Sequence, residues 1–287
     1  GENAEEVSIS ISKVDAEASQ RALSFTPMSI TWEDLEYTVK VPGEDGKPLS
    51  GSKKILNSVT SAAQPSRMLA LMGASGAGKT TLLDVIAGRK SGGEMRGTIK
   101  LNGHVVKKET FARLTAYCEQ QDLHNAFTTV KEALEFSATL RLPSDVSKDA
   151  RKAFVDEALD ILELRGIENR LIGVAGSPSG LSPGQRKVLT VGVELVSNAP
   201  VFFLDEPTSG LDSRAALIVM REVKKVANLG RTVITTVHQP SKEIFNLFDD
   251  MLLLQRGGYQ VYFGPCGVNG KTFVDYLQKI PNAHALP

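Results

Sequence analysis

The sequence predicts an α/β fold in which a mostly parallel sheet is interrupted by a helical insertion. Two short apolar runs, 201–204 and 232–237, have the length and composition of buried strands in a parallel sheet. Apolar residues recur with helical spacing over 130–140 and 150–164. We therefore expect the stretch from about 111 to 200 to be mostly helical, between two parts of an α/β core.

The remaining elements follow in order along the chain. Residues 1–26 are rich in Ser, Glu and Ala without a sustained apolar period, which predicts a mobile tail or linker. Strands are predicted at 30–41 and 55–63, on either side of a Pro- and Gly-rich loop at 42–48. Residues 214–227 have the pattern of a crossover helix between the two apolar runs.

Composition limits the kind of protein. A chain of 287 residues with 41% hydrophobic residues can form one large domain with a sizeable core. The 33 basic and 33 acidic residues balance, so no nucleic-acid partner is expected. Two cysteines, Cys118 and Cys266, do not indicate a disulfide scaffold. The sequence has no signal peptide pattern and no apolar run long enough to span a membrane, so we expect the chain itself to be soluble.

A glycine-rich motif lies between a predicted strand at 67–72 and a predicted helix at 80–88, which is the context that a phosphate-binding P-loop requires. Its residues are Gly73, Ala74, Ser75, Gly76, Ala77, Gly78, Lys79 and Thr80. Glycines let successive N–H groups turn toward a phosphate, and the helix adds the positive end of its dipole. Lys79 is predicted to reach the β- and γ-phosphates, and Thr80 to ligate Mg²⁺. Thr81 bonds the α-phosphate or simply begins the helix.

Two carboxylates follow the apolar run 201–204. Asp205 is placed to hold Mg²⁺, and Glu206 to polarise the attacking water as a general base. An acidic loop after a strand is common by itself, but a P-loop upstream favours the catalytic interpretation. The sequence thus predicts binding and hydrolysis of MgATP.

A second capped helix start lies at Leu181-Ser182-Pro183-Gly184-Gln185. Ser182 with Gln185 forms a capping box, and Pro183 suits the first helical position, so this motif can be purely structural. The alternative is an anion site, in which Ser182 and the N–H of Gly184 meet a γ-phosphate.

The order of these motifs resembles the nucleotide-binding domain of an ABC transporter. The P-loop is followed by Leu181–Gln185, the Asp205–Glu206 pair, Ser209-Gly210-Leu211-Asp212 and His238. Gln185-Arg186-Lys187 and His238-Gln239-Pro240-Ser241 resemble the G subfamily, which includes pleiotropic drug resistance pumps. Tyr117-Cys118-Glu119-Gln120 and the segment 256–264 resemble the second nucleotide-binding domain of full-size members.

The resemblance implies one ABC nucleotide-binding domain over 27–287, outside the tail 1–26. Its fold would be a P-loop NTPase (RecA-like) core at 27–110 and 201–287, with an N-terminal antiparallel β subdomain. An inserted α-helical subdomain would occupy 111–200.

Roles for individual residues also follow from the resemblance. Gln120 resembles the Q-loop glutamine, which ligates Mg²⁺ with Thr80 and Asp205 and senses a transmembrane partner; Gln121 is the alternative. His238 resembles the switch histidine near the γ-phosphate. The implied catalytic residues are therefore Glu206, His238 and Gln120.

Leu181–Gln185 resembles the signature motif of the family. The contacts of this motif and of the adenine base are implied in the same way. Ser182, Gly184 and Gln185 would contact nucleotide bound on a second domain, although Pro183 replaces a family glycine and removes an N–H. Asp212 lies in the D-loop, which joins two nucleotide sites across a dimer. Tyr37 is the nearest aromatic residue for adenine stacking. The position can instead fall on Val39, because a strand tyrosine also suits the core.

The function implied by resemblance is ATP-driven export of a lipid, sterol or hydrophobic drug. The cofactors would be ATP and Mg²⁺. The partners would be a second nucleotide-binding domain, paired head to tail, and a transmembrane domain of the same or a partner polypeptide at the cytoplasmic face of the plasma membrane. One alternative is a soluble ABC ATPase of translation or DNA repair. Another is a regulatory module that scarcely turns over, against which Glu206 and His238 argue.

Overall fold

Nine strands and eight helices form the part of the chain that this computed structural model describes, residues 23–41 and 51–279. The strands are β1 Ile30–Val41, β2 Gly51–Ala63, β3 Met68–Gly73, β4 Glu94–Leu101, β5 Thr115–Cys118, β6 Val201–Leu204, β7 Thr232–Thr236, β8 Asp250–Gln255 and β9 Tyr259–Pro265. The helices are α1 Lys79–Ile86, α2 Lys108–Leu114, α3 Val130–Arg141, α4 Lys148–Ile161, α5 Pro183–Leu195, α6 Ser213–Asn228, α7 Lys242–Phe245 and α8 Lys271–Gln278.

All nine strands belong to one sheet, in the order β4-β1-β2-β9-β8-β3-β7-β6-β5. Five neighbouring strands, β8, β3, β7, β6 and β5, pair in parallel. At the other end β1 pairs antiparallel with both β2 and β4. The predicted fold class, a parallel P-loop core with an N-terminal antiparallel β region and several helices, is therefore confirmed.

The parallel strands bring distant loops to one edge of the sheet. Their register pairs Cys118 with Leu204, Leu204 with Thr235, and Leu71 with Thr236. These residues lie at or near the carboxyl ends of β5, β6, β7 and β3. Ligand sites of parallel sheets form where such ends meet. The loops after these four strands therefore lie together and define the site.

Strand β6 shows how the sheet divides the core into two layers. Phe202 and Phe203 are both fully buried, but successive side chains of a strand point to opposite faces. Phe202 packs in the layer that contains Leu189 of α5 and Val219 of α6. Phe203 packs in the layer that contains Leu82 of α1. Burial on both faces explains why β6 has four consecutive apolar residues.

Two predicted strands, at 30–41 and 201–204, have the predicted bounds. The helix predicted at 150–164 instead ends at Ile161, because Glu163 adopts a left-handed conformation, φ 53°. No helix in residues 23–41 and 51–279 combines the length and apolar character needed to cross a membrane.

The predicted limits of the subdomains need two corrections. The stretch 111–200 includes β5, which pairs with β6 and thus belongs to the parallel sheet, so we propose that the helical segment begins after Cys118.

Residues 23–26 are not part of a free tail. The Ser24 carbonyl accepts a hydrogen bond from Asn198 Nδ2 at 3.0 Å, and the Phe25 ring lies under the Arg231 guanidinium. The predicted tail over 1–22 and the predicted loop at 42–48 lie outside the described residues.

Candidate active site

A glycine-rich turn joins β3 to α1. Gly73 has φ +148°, and a Cβ atom there would lie 2.2 Å from the Leu254 carbonyl oxygen. Gly78, the N-cap residue of α1, has φ +97°. The Ala77 N–H donates to the Ala74 carbonyl at 3.1 Å and closes the turn. The backbone therefore requires glycine at 73 and 78, and it curls around the start of α1.

Lys79 lies at the centre of this turn and is only 7% exposed. Its Nζ donates to the carbonyl oxygens of Gly73 at 2.9 Å and Ala74 at 3.2 Å. No side chain in the described part of the chain caps the N-terminus of α1, so the N–H groups of its first turn remain available. The turn thus combines a buried cation with free helix N–H groups, which is the chemistry that binds phosphate.

Asp205, at the end of β6, faces the same helix start. Its Oδ1 accepts hydrogen bonds from Thr80 Oγ1 at 3.2 Å and from Thr236 Oγ1 at 2.8 Å. Among the described residues no hydrogen bond reaches Oδ2. A hydroxyl and a free carboxylate oxygen are hard ligands that fit Mg²⁺, which takes its other ligands from phosphates and water. The described segments contain no group of three or more His, Cys, Asp or Glu residues that could hold a metal alone.

Glu206 is held in an unusual backbone conformation beside Asp205. Its φ is +44°, in the left-handed region that favours glycine, and its N–H donates to Thr236 Oγ1 at 2.7 Å. Its Oε2 accepts a hydrogen bond from Gln120 Nε2 at 3.1 Å, and the same amide donates to Ser209 Oγ at 3.2 Å. The structure therefore brings Gln120 to the carboxylate of Glu206, and Gln121 has no hydrogen bond to that carboxylate among the described residues.

His238 follows β7 at the same edge of the sheet. The preceding Val237 N–H donates to the Leu71 carbonyl at 3.2 Å, which places this loop next to β3. The His238 side chain is exposed and has no hydrogen bond to the described residues. It lies at the same edge of the sheet as Glu206, without a hydrogen bond to that residue among the described parts of the chain.

The signature residues form their own group at the start of α5. Ser182 Oγ accepts from the Gln185 N–H at 3.3 Å, and Gln185 Oε1 accepts from the Ser182 N–H at 3.0 Å, so the capping box is present. Asp212 caps α6 by accepting from the Ala215 N–H at 2.9 Å. A Cβ atom on Gly184 would lie 3.3 Å from Ala215 Cβ, so the two helix starts are close neighbours. Within the described residues, none of these groups bonds to the phosphate turn of the same chain.

The expectation that Tyr37 stacks on adenine is wrong. Tyr37 is 5% exposed, packs in the core layer of α1, and donates its hydroxyl proton to the Gly92 carbonyl at 2.5 Å. A ring enclosed in the core has no free face for a base. Val39, the alternative position, is half-buried on the same strand.

The contacts that Thr236 and Ser209 make with the candidate catalytic residues were not predicted from the sequence. Thr236 is fully buried and joins Asp205 to the backbone of Glu206. The available signal was the pair Thr235-Thr236 near the carboxyl end of the predicted strand 232–237. A buried hydroxyl needs a partner, and here the partners are the two candidate acidic residues.

A polar cavity of about 400 Å³ opens beside Asp205 and Gln120. In its wall the Tyr117 hydroxyl donates to Asp84 Oδ1 at 2.7 Å, and the Arg89 guanidinium lies 4.1 Å from the centre of the Tyr117 ring. Burial and the bond to Asp84 raise the pKa of Tyr117 well above its usual range. Tyr117 therefore stays protonated and serves as a donor. A larger cavity, about 630 Å³, lies between β4 and α2, away from the phosphate turn.

A second polar cluster, formed by Asp122, His124, Lys187 and Thr190, lies between the loop after β5 and helix α5. Thr190 Oγ1 donates to Asp122 Oδ1 at 2.7 Å, and His124 Nε2 lies 2.9 Å from the same hydroxyl. Lys187 Nζ lies 2.7 Å from Asp122 Oδ1. No motif predicted this cluster, because Asp122 and His124 precede Thr190 by more than 60 residues in the sequence.

Replacing His124 with glutamine should flatten the dependence of stability on pH. Burial lowers the pKa of His124, Asp122 and a hydrogen bond with the Arg186 backbone raise it, and the charges of Arg186 and Lys187 lower it. The folded state therefore binds fewer protons than the unfolded state, and the stabilisation present above the ordinary value of 6.5 is lost as pH falls below it. Urea unfolding at about pH 7.5 and about pH 5.5 measures this loss, which should be larger in the unaltered chain than in H124Q.

The exposed His104 supplies the control, since H104Q should lose as much stability as the unaltered chain over this interval. An equal loss in H124Q and the unaltered chain would contradict the prediction.

The fold and the site together define a P-loop ATPase domain that binds nucleotide. A family model described as "ABC transporter" matches residues 56–209, more than half of the chain, and one described as "ABC-2 type transporter" matches residues 238–285. The chain belongs to the ABC transporter family.

Similar proteins agree with this assignment. "ABC transporter G family member 37" of Oryza sativa subsp. japonica is 48% identical over 276 residues, which cover 94% of this chain and 19% of that protein. "Pleiotropic drug resistance protein 1" of Nicotiana tabacum is 48% identical over 294 residues, covering 98% of this chain and 20% of that protein. The chain thus spans about a fifth of the length of these relatives. A solved "Structure of ATP binding subunit of ABC transporter" has a similar fold, with a TM-score of 0.63 at 20% identity over 88% of this chain and 95% of that one.

Proposed function

We propose that this domain hydrolyses MgATP to drive transport across a membrane. The observation that carries the proposal is the convergence of Thr80, Asp205, Gln120 and Glu206 at one edge of the sheet. Thr80 Oγ1 donates to Asp205 Oδ1 at 3.2 Å, and Gln120 Nε2 donates to Glu206 Oε2 at 3.1 Å. These residues come from three separate segments of the chain. Such an arrangement places ligands for a metal next to a general base, as hydrolysis of a phosphoanhydride needs.

Each residue has a role that follows from its contacts. Lys79 and the first turn of α1 hold the phosphates, and the Lys79 ammonium exchanges its carbonyl partners for phosphate oxygens. Thr80, Asp205 and the Gln120 side chain would hold Mg²⁺, which neutralises charge that develops on the phosphates. Glu206 accepts a proton from the attacking water. His238, which has no hydrogen bond within residues 23–41 and 51–279, is available to donate to the γ-phosphate.

The site of one chain is incomplete on its own, and we infer a head-to-tail dimer. Ser182, Gly184 and Gln185 present a helix N-terminus that does not bond to the chain's own phosphate turn. The turn is itself open, since Ala74, Ser75 and Gly76 are exposed. A second domain that places its signature residues over this open turn would enclose the triphosphate and exclude water. Pro183 supplies no N–H to that contact.

A transmembrane partner is supported by an apolar surface near Gln120. Four large apolar side chains are exposed on the loop that follows Gln120 and on α3: Leu123, Phe127, Phe136 and Leu140. Phe127 is 87% exposed. Large apolar side chains exposed on the loop that carries Gln120 and on the helix that follows it indicate a protein contact, and a partner bound to this loop would bias the metal site through Gln120.

We infer the class of cargo and the membrane from the names of the relatives. Both relatives are G family or pleiotropic drug resistance proteins by name, which favours export of a hydrophobic compound such as a drug, lipid or sterol. Because ATP is cytosolic, the domain would act at the cytoplasmic face of the membrane, for which we propose the plasma membrane.

The proposal predicts that the rate of phosphate release per chain rises with protein concentration. Dimers complete the site, so the purified chain at saturating MgATP should turn over faster per molecule when its concentration is raised about a hundredfold. Removing Mg²⁺ with EDTA should abolish release. The measurement is a phosphate-release assay combined with gel filtration in the presence of ATP.

Two results would contradict the proposal. A chain that binds ATP but releases no phosphate at any concentration would be a nucleotide-binding module without turnover. A rate per chain that is independent of concentration would exclude the shared site and leave a monomeric ATPase.

A further inference from the structure

Lys187 is a buried cation on α5 that the roles given above do not use. It is 2% exposed, and burying an unpaired ammonium is costly. Its Nζ lies 3.2 Å from the Glu119 carbonyl oxygen, 2.8 Å from the Gln120 carbonyl oxygen and 2.7 Å from Asp122 Oδ1. An ammonium group has three protons, so all three are used.

The three acceptors lie within four consecutive residues of one loop. They belong to residues 119–122, the segment that carries Gln120 from the end of β5 toward the metal site. This loop has no backbone hydrogen bond to α5 among the described residues. The Lys187 side chain is therefore a direct link between the helix that begins at Ser182 and the peptide group of Gln120.

Two of the residues that Lys187 contacts, Asp122 and Glu119, make further contacts of their own. Asp122 also accepts from Thr190, one turn further along α5, and His124 contacts that hydroxyl. Glu119, whose carbonyl Lys187 holds, has its carboxylate paired with Arg89 of the loop after α1. Lys187 thus joins α5 to the Gln120 loop, which Glu119 in turn links to the loop after α1.

We propose that Lys187 is a positioning residue, which fixes the Gln120 loop to α5 so that the Gln120 amide reaches the metal site and follows any displacement of the signature residues. This inference rests on the proposed ATPase function. Closure of a partner on Ser182–Gln185 would move the start of α5, and Lys187 would transmit that movement to Gln120 within the same chain.

The test removes both charges of the link together. In the variant K187M/D122N neither a lone carboxylate nor a lone ammonium remains buried. Binding of Mn²⁺ in the presence of ADP, followed by the electron paramagnetic resonance signal of free Mn²⁺, reports on the metal site without turnover. Residues that orient a metal ligand typically contribute about tenfold to a hundredfold in affinity, so Mn²⁺ affinity should fall by about tenfold or more.

A comparison with Gln120 separates positioning from general damage. Q120A should weaken Mn²⁺ binding to a similar extent, and the triple variant K187M/D122N/Q120A should be no weaker than Q120A, because the link acts only through that side chain. ADP affinity without metal should stay unchanged in all of them. K152M, an exposed lysine on α4, is the matched control and should bind Mn²⁺ like the unaltered chain.

Three results would overturn the inference. They are unchanged Mn²⁺ affinity in K187M/D122N, losses that add in the triple variant, and a parallel loss of ADP affinity, which would mean a purely structural role. If K187M/D122N does not fold, K187Q, which keeps two donors, is measured instead. A smaller loss of Mn²⁺ affinity in K187Q that disappears when Q120A is already present supports positioning. An unchanged Mn²⁺ affinity in K187Q refutes it. If the unaltered chain binds no nucleotide, the proposed function fails and this inference fails with it, whereas failure of Lys187 alone leaves the ATPase intact.

Discussion

Replacing Glu206 with glutamine should lower the rate of ATP hydrolysis by about 10² to 10⁴-fold, the range that general acid–base catalysis contributes. Glutamine keeps the size of the side chain and can still contact the Gln120 amide, but it cannot accept a proton from water. Affinity for MgATP should remain within a few-fold, because Glu206 bonds to Gln120 and Thr236 and not to the phosphate turn. The measurements are phosphate release and equilibrium nucleotide binding on the same preparations.

The matched control is E109Q, an exposed glutamate on α2, which should hydrolyse ATP at the unaltered rate. If hydrolysis is the step that opens the proposed dimer, E206Q should also accumulate as an ATP-bound dimer on gel filtration. Equal rates for E206Q and the unaltered chain would remove Glu206 as the base.

Replacing Lys79 with methionine should weaken ATP binding about a hundredfold. Methionine fills similar space but removes the only buried ammonium at the described phosphate turn. Loss of charged hydrogen bonds worth about 3 kcal/mol corresponds to roughly a hundredfold in the dissociation constant. Titration calorimetry with ATP in the absence of Mg²⁺ isolates this contribution from the metal site.

K53M is the control for charge alone, since Lys53 is exposed on β2. It changes the net charge by the same amount and should leave the affinity unchanged. Because Lys79 also satisfies the Gly73 and Ala74 carbonyls, the free energy of unfolding is measured for both variants. An affinity for ATP within twofold of the unaltered chain would contradict the role of Lys79.

Local patterns accounted for much of the fold. The phosphate turn between a strand and a helix, and the apolar run before Asp205, are contiguous, so their spacing is visible in the sequence. The N-terminal strand over 30–41 was likewise visible. In each case the information lies within about ten neighbouring residues, where the periodicity of side chains follows directly from the backbone.

What could not be predicted depends on contacts between distant residues. Strand β5 has only four residues and precedes a helical segment, so its place at the sheet edge is decided by pairing with β6 and not by its own composition. The bonds of Lys187 to the Gln120 loop span 67 and 68 residues. Tyr37 suited both a binding surface and a core, and only packing against α1 and the Gly92 loop decided between them.

The left-handed backbone of Glu206 has a consequence for how this domain responds to selection. A side chain with φ near +44° carries a conformational cost of order 1–3 kcal/mol, which glycine would not carry. Thermostability and turnover therefore make opposite demands on this position. A library of variants ranked only by melting temperature would enrich glycine at 206 and lose the proposed base, whereas one ranked by ATP hydrolysis would keep the strained glutamate.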